Sequence, residues 1–386
     1  MKQRILFILP NFEIGGTVVS TKNILSLLDD KKYDIYILPL AGSLGSLRNM
    51  YSSYNIIKSS AVLRFLAAST YKNFGVLSMV AAAVRFISKL NIIKSLLLSL
   101  SSYKYSRCNI DIVIACQEGI SSQFASFVKA KKRLAWVRCD YKRYFEERKI
   151  NELHIYNKFH KIICVSQGCT QNFVTIYPSL YERTICLHNP QDSTFLLSQA
   201  KNNDHDPLFK NDEFTIVSVG RFSPIKRFDL IPKIARYLLD NGISFRWYLI
   251  GGGSPSILSQ IKDLIVKENV IDHVFCLGIK SNPLFYIKES DMLVCLSESE
   301  ACPRVINEAK ILHTPIVCNN FDTAKEYISD RVDGIIAPLD TIHIEISNLI
   351  KNKGLYTQIK KQISDFSFDN TEIISVLNQL LNTNIY

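Results

Sequence analysis

Short apolar runs alternate with stretches of helical periodicity along the chain, and this alternation predicts a parallel α/β architecture. In the first half, residues 5–9, 33–38, 110–115, 134–137, 162–165 and 184–187 read as strands, most of them separated by helical segments. The pattern breaks over residues 188–213, which begin His188-Asn189-Pro190 and continue through the polar stretch Lys201-Asn202-Asn203-Asp204-His205-Asp206-Pro207. That segment reads as a linker. A second α/β series follows, with strands predicted at residues 215–219, 246–250, 274–277, 292–296, 316–318 and 334–337. Residues 341–386 read as helices, the last of which is expected to cross back onto the first domain. The pattern therefore predicts two Rossmann-like domains, residues 1–190 with a returning helix at 367–386, and residues 191–366.

A length of 386 residues suits two cores, and 47% apolar with 21% charged residues is the balance of a globular chain. Charge sharpens the division. Residues 1–190 hold 26 Lys and Arg against 11 Asp and Glu, a balance of +15, whereas the remainder holds 20 against 24, a balance of −4. A basic half beside a slightly acidic one points either to an anionic partner of the first half or to a merely soluble basic face.

The ten cysteines are scattered without a CxxC pair, and Cys116, Cys164, Cys276, Cys295 and Cys318 sit in apolar runs as small hydrophobes, the usage of a reducing cytosol. Met1-Lys2-Gln3-Arg4 and the run at residues 5–9 are too short for a signal peptide and read as a first buried strand. Residues 76–100 are densely apolar, but Arg85, Lys89 and Lys94 argue against a membrane span. Two readings remain: a basic amphipathic helix on a membrane surface, or a helix packed on its own domain with a solvated basic edge.

Four segments carry candidate chemistry. Gly15 and Gly16 follow the first strand and open a helix expected over residues 17–28. Such a turn lets backbone N–H groups approach a ligand, yet equally serves as a plain strand-to-helix turn, and its spacing is not GxGxxG. Gly220-Arg221-Phe222-Ser223-Pro224-Ile225-Lys226-Arg227 follows the first strand of the second domain, where Arg221 and Lys226 are candidates for a diphosphate clamp. Gly251-Gly252-Gly253-Ser254-Pro255 runs from a strand into a helix and admits a nucleotide close to the backbone.

The fourth segment is Ser297-Glu298-Ser299-Glu300-Ala301-Cys302-Pro303-Arg304-Val305-Ile306-Asn307-Glu308. Pro303 suits a first helical turn, leaving Glu300 in the preceding loop and Glu308 inside the helix. One carboxylate can then face a reacting group while the other accepts ribose hydroxyls, with helix N–H groups free for phosphate. Ordinary helix-start acids are the alternative reading. Asp204-His205-Asp206, the one Asp-x-Asp, reads as a solvated loop, and no Cys/His cluster has zinc spacing, so no metal is expected.

Together these segments resemble the retaining glycosyltransferases of family 4, of the bacterial O-antigen, capsule or lipopolysaccharide assembly type. The resemblance rests on the Gly15-Gly16 loop, Trp136-Val137-Arg138-Cys139-Asp140, Cys164-Val165-Ser166, Asn189-Pro190, Gly220-Arg221 to Lys226, the loop from Gly251 to Pro255, the Glu300 and Glu308 pair, and Glu326 before Asp333-Gly334. It implies the GT-B fold, two Rossmann-like domains facing a central cleft. It also implies donor-diphosphate binding by Arg221 and Lys226, ribose binding by Glu308 and contact of Glu300 with the donor sugar near the reacting carbon. Gly251, Gly252, Cys302, Pro303, Arg304 and Val305 complete the expected nucleotide site, Gly16 lies on the phosphate or acceptor side, and Gly15 and Asp140 lie on the acceptor side.

Three departures stand out: Arg138 occupies the place where many relatives carry a histidine, and it cannot act as a base at neutral pH; Ala301-Cys302-Pro303 replaces the usual Gly-Phe-Pro or Gly-Phe-Gly; and Arg227 replaces a frequent glycine. The expected catalytic set is Glu300, Arg138, Lys226 and Arg221. The expected reaction moves a hexose-type sugar from a nucleoside-diphosphate sugar, the co-substrate, to a hydroxyl of a lipid-diphosphate-linked glycan, with no cofactor and no metal required. The setting is cytoplasmic, peripheral on the inner membrane face through the basic first domain. Rival readings are a GT-B sugar-nucleotide 2-epimerase, a degenerate nucleotide-binding or assembly subunit, and a nucleic-acid binder, the last disfavoured because the basic residues lack interleaved stacking aromatics.

Overall fold

The computed structural model describes residues 2–13, 15–67, 91–202, 206–210 and 212–382. The chain divides into two compact units, Met1–Pro190 with Asn370–Tyr386, and Gln191–Asp369.

The first unit is built on a parallel sheet of β1 (Gln3–Leu9), β2 (Tyr33–Pro39), β3 (Asn55–Ile56), β4 (Ile112–Ala115), β5 (Lys132–Val137), β6 (Lys161–Cys164) and β7 (Thr184–Cys186), in the order β3-β2-β1-β4-β5-β6-β7. β1 sits centrally, with Ile5 in register with Ile35 on one side and Ile112 on the other. Covered on both faces, it reads as the unbroken run Ile5-Leu6-Phe7-Ile8-Leu9 rather than an alternation. The chain leaves β1 toward β2 and later returns to β1's other flank as β4. That reversal places a crevice at the carboxyl ends of β1 and β4. β3 is a two-residue edge strand, too short to leave an apolar run in the sequence.

In the second unit, β8 (Phe214–Val219), β9 (Phe245–Ile250), β10 (Val274–Gly278), β11 (Met292–Cys295), β12 (Ile316–Asn319) and β13 (Ile335–Ala337) form a parallel sheet in the order β10-β9-β8-β11-β12-β13. Side chains alternate between two cores, as the strand period requires. Trp247 and Leu249 face the helices Ile231–Asp240, Pro255–Lys267 and Ile342–Lys351, while Tyr248 and Ile250 face Ser193–Ala200 and Pro283–Lys288. The order reverses between β8 and β11, so the segments leaving those two strands flank this unit's crevice.

The structure corrects the reading of residues 188–213 as a bare linker. Asp192 accepts a hydrogen bond from Phe195 N at 2.9 Å and so caps the helix Ser193–Ala200. Leu196, Ala200 and Phe209 bury in the second unit's core. Polar neighbours hid this amphipathic turn in the sequence. Asp206, read as part of a solvated loop, instead forms an ion pair with Lys280, whereas Asp204 and His205 lie outside the described residues.

The helix Thr371–Leu381 packs within the first unit, and Lys132 Nζ donates to the carbonyl of Asn382 at 2.8 Å. Of the apolar segment 76–100, residues 76–90 with Arg85 and Lys89 lie outside the described residues, and the rest begins the helix Asn91–Ser106. Leu96, Leu100 and Tyr103 recur on one face of that helix and are exposed. Among the described residues, no helix is long and apolar enough to cross a membrane.

Candidate functional site

Two glycine loops meet at the β8 end of the second unit. Gly220 N donates to Ile250 O at 2.9 Å and Phe222 N to Gly252 O at 2.8 Å, continuing the β8–β9 ladder beyond both strands. Phe222 is buried against Phe228, with ring centroids 4.6 Å apart. The contact is so close that a Cβ built on Gly251, whose φ is +144°, would lie 1.8 Å from the carbonyl oxygen of Gly220. Glycine is thus demanded at 251 by both backbone angle and space, whatever the loop binds. We expect Gly251→Ala to cost at least about 1–3 kcal/mol from strain at this φ alone, seen as a lower urea midpoint for unfolding of the full chain.

From Phe222 the chain makes a single 3₁₀ turn, Pro224–Lys226, and reverses at Arg227, whose φ is 51°. A left-handed residue at 227 explains why glycine suits that place; here the arginine is held by Asp229 at 3.2 Å and by Glu298 at 2.6 Å. Glu298 N also donates to Ile225 O at 2.8 Å, so the loop after β8 and the loop after β11 are tied together.

This tie brings Lys226 to Glu300. The Lys226 ammonium forms an ion pair with Glu300 Oε1, which also accepts the Ser297 hydroxyl at 2.7 Å. The side chains are 25% and 13% exposed, sheltered enough for the pair to matter yet reachable by a ligand. Thr323 Oγ1 donates to Glu300 O at 2.7 Å, and Asn319 Nδ2 donates to Ser297 O at 2.9 Å, so β12 and the turn after it fix the loop that carries the carboxylate. Arg221 is exposed and, among the described residues, has no ion pair. The Lys226 and Glu300 contact was not legible from spacing, and Ser297, Asn319 and Thr323 carry no sequence signal that would have linked them to it.

Pro303 stands at the N-cap of the helix Arg304–Ile311, one position before the first turn in which it was expected. Neither a side-chain cap nor a first-turn acid satisfies this terminus; Ile306 N donates to Pro303 O at 3.0 Å, which leaves the N–H groups of Arg304 and Val305 and the positive end of the dipole for an anion. One turn in, Glu308 is 7% exposed and accepts Arg304 Nη2 at 2.6 Å. Ala301 and Cys302 lie between Glu300 and this helix, and Val305 lies in its first turn.

In the first unit, Gly15 is the N-cap of the helix Gly16–Ser26, again with no side-chain cap and no first-turn acid. Gly15 has φ 179°, extended backbone open to any residue. Arg138 leaves the carboxyl end of β5 and is thoroughly engaged. Its backbone N donates to Glu118 Oε2 at 2.9 Å, its Nε to Cys116 O at 2.8 Å and its Nη1 to Asn189 Oδ1 at 2.5 Å, and its guanidinium lies 5.3 Å from the centre of the Trp136 ring. Burial pushes the Cys116 thiol up to about 12 despite the Arg138 charge beside it. Asp140 caps the helix Tyr141–Arg148 through Arg143 N at 3.3 Å and accepts Asn172 Nδ2 at 3.1 Å. A structural use for Asp140 is therefore present, which its position in a motif did not reveal. Glu118, buried beside Arg138, was not singled out by the sequence.

The chain is similar to known proteins in sequence and in fold. Residues 199–365 match the family described as glycosyl transferases group 1. The chain is 23% identical over 218 residues to an uncharacterized glycosyltransferase of Methanocaldococcus jannaschii, a match covering 52% of this chain and 53% of that protein. It is 23% identical over 143 residues to the UDP-Gal:α-D-GlcNAc-diphosphoundecaprenol α-1,3-galactosyltransferase of Escherichia coli, covering 37% of each. The chain thus spans about half or less of these curated relatives' lengths. Among solved structures, Anabaena HepE in complex with UDP superposes with a TM-score of 0.70 at 14% identity, covering 99% of both chains. The fold is that of two parallel-sheet Rossmann-like domains found in GT-B glycosyltransferase structures, and the matched family segment contains both the Lys226–Glu300 pair and the helix of Glu308.

Proposed function

We propose that this protein is a retaining glycosyltransferase that moves a sugar from a nucleoside-diphosphate sugar, UDP-linked in our reading, to a hydroxyl of a lipid-diphosphate-linked glycan in surface polysaccharide assembly. The observation that carries this reading is the Lys226–Glu300 pair at the β8/β11 switch point, beside an uncapped helix N-terminus that holds Glu308. Transfer of a sugar builds negative charge on the departing diphosphate and positive charge at the sugar carbon. Lys226, Arg221 and the N–H groups opening the helix at Arg304 supply cations and donors for the first, and Glu300 supplies a carboxylate for the sugar. Such a set needs no metal and no further cofactor. Glu308 accepts ribose hydroxyls, and the loop of Gly251 and Gly252 borders the nucleoside.

Support for UDP comes from the UDP bound in the HepE structure, and support for a lipid-diphosphate acceptor comes from the name of the E. coli relative. The +15 balance of the first 190 residues and the exposed Leu96, Leu100 and Tyr103 stripe suit an anionic membrane face, where such an acceptor resides. Calorimetric titration with UDP, GDP and ADP tests the donor site. Selective binding of one, weakened in Glu308→Ala, is expected; indifference to all three would overturn the reading.

Arg138 supplies a charge that does not titrate, in place of a base. The variant Arg138→His should therefore introduce a pH limb. Its imidazole keeps the positive charge below about pH 6.5 and loses it above, so transfer should fall relative to wild type as pH rises through that value. Rates measured from mildly acid to mildly alkaline buffer check this, and parallel profiles would show that charge at 138 contributes nothing to the rate.

A further inference from the structure

At the amino end of the first unit's sheet, opposite the carboxyl ends that carry Gly16 and Arg138, lies a cavity of about 860 Å³. Its cations are set by the strands themselves: Lys132 opens β5, Lys161 opens β6, Arg183 immediately precedes β7, and Lys158 stands in the loop before β6. Among the described residues, none of these four has a carboxylate within ion-pair distance. Lys132 donates to Asn382 O at 2.8 Å, Lys161 to Glu182 O at 3.0 Å and Arg183 to Asn157 O at 3.1 Å, while Lys158 lies 4.3 Å from the centre of the Phe127 ring. A lysine has three donors and an arginine five, so each keeps donors beyond the one it spends on the main chain.

Gathering like charges in this way has a cost. Burial first, and Lys161 second, hold the Lys132 ammonium below its ordinary range; burial and Arg133 do the same to Lys158. An anion in the cavity offsets the like-charge repulsion and favours the charged form of both side chains. The remaining wall joins an apolar side, Ile185 on β7 and Val376 and Leu380 on the helix Thr371–Leu381, to the polar Asn157, His160 and Gln379. Capping the carbonyls of Asn382, Glu182 and Asn157 accounts for one bond each of Lys132, Lys161 and Arg183. It does not account for four cations around one cavity with no acid among its described lining residues.

We propose that this cavity binds a phosphate-bearing amphiphile, its phosphate on Lys132, Lys161 and Arg183 and its apolar portion against Val376 and Leu380. Two sources share that chemistry, an anionic lipid headgroup and a soluble phosphate ester. The probes are n-hexyl phosphate, titrated calorimetrically into the full chain, and sedimentation with phosphatidylcholine vesicles prepared with or without phosphatidylglycerol. Lys132→Ala/Lys161→Ala should weaken hexyl phosphate binding at least about tenfold, and Arg183→Ala, a change at an exposed side chain, should weaken it in the same direction. The charge-matched surface variant Lys31→Ala/Lys32→Ala should bind as wild type, and UDP titrations should be alike in every chain, which separates this site from the donor site. Loss of anionic-vesicle binding along with hexyl phosphate assigns the cavity to a lipid headgroup; loss of hexyl phosphate alone assigns it to a soluble ester. Absence of hexyl phosphate binding in wild type, equal binding in the cavity variants, or equal weakening in the surface control would overturn the proposal.

Discussion

Glu300→Gln is expected to lower turnover about 10²–10³-fold while UDP binds within about threefold of wild type. The amide is isosteric and still accepts hydrogen bonds from Lys226 and the Ser297 hydroxyl, so the loop that Thr323 and Asn319 fix should survive. What disappears is the negative charge, which counts only when positive charge develops on the sugar. Steady-state rates and UDP titrations on the same preparation separate the two. If affinity for UDP falls as steeply as turnover, Glu300 serves to position Lys226 and not to meet the donor sugar.

Lys226→Ala should reverse that pattern and weaken UDP about 10–100-fold, since a hydrogen bond to a charged group contributes about 1.5–3 kcal/mol. The variant also leaves Glu300 sheltered without its cation. A fully buried pair broken from one side costs about 3–5 kcal/mol, but with Lys226 25% exposed water screens part of this, and about 1–2 kcal/mol is the expected loss of stability. Calorimetry reads the first effect and the urea midpoint the second. Lys226→Ala/Glu300→Gln should recover stability without recovering UDP affinity, which would divide the structural use of the pair from its use toward a ligand.

The parallel sheets were legible because strands buried on both faces leave short, nearly unbroken apolar runs, as in Ile5-Leu6-Phe7-Ile8-Leu9 and Met292-Leu293-Val294-Cys295. β3 was not legible, because two residues at a sheet edge have no pattern to leave. The helix Ser193–Ala200 was hidden for a different reason: its neighbours are polar, and the apolar contacts of Leu196 and Phe209 are made to strands distant in sequence. The candidate site was legible as segments and not as a constellation. Strand-end placement directed attention to the loops after β8 and β11, yet nothing local tells that Lys226 meets Glu300 or that Gly251 faces Gly220 at contact distance. The first is a consequence of strand order, in which β8 and β11 are neighbours although β9 and β10 separate them along the chain, and the second of the register between β8 and β9. At 138 the sequence supplied the residue type, and the structure added its commitments to Glu118, Cys116 and Asn189.

The central claim is sugar transfer, and the most direct measurement incubates the purified chain with a panel of UDP-sugars and an undecaprenyl-diphosphate-linked GlcNAc acceptor, following products by mass spectrometry and NMR. The account predicts a glycosylated acceptor in which the new bond keeps the anomeric configuration of the donor, made by wild type and nearly abolished in Glu300→Gln. Return of the donor with inverted configuration at the sugar C2 and an unchanged acceptor, or UDP binding with no product from any donor, would contradict it.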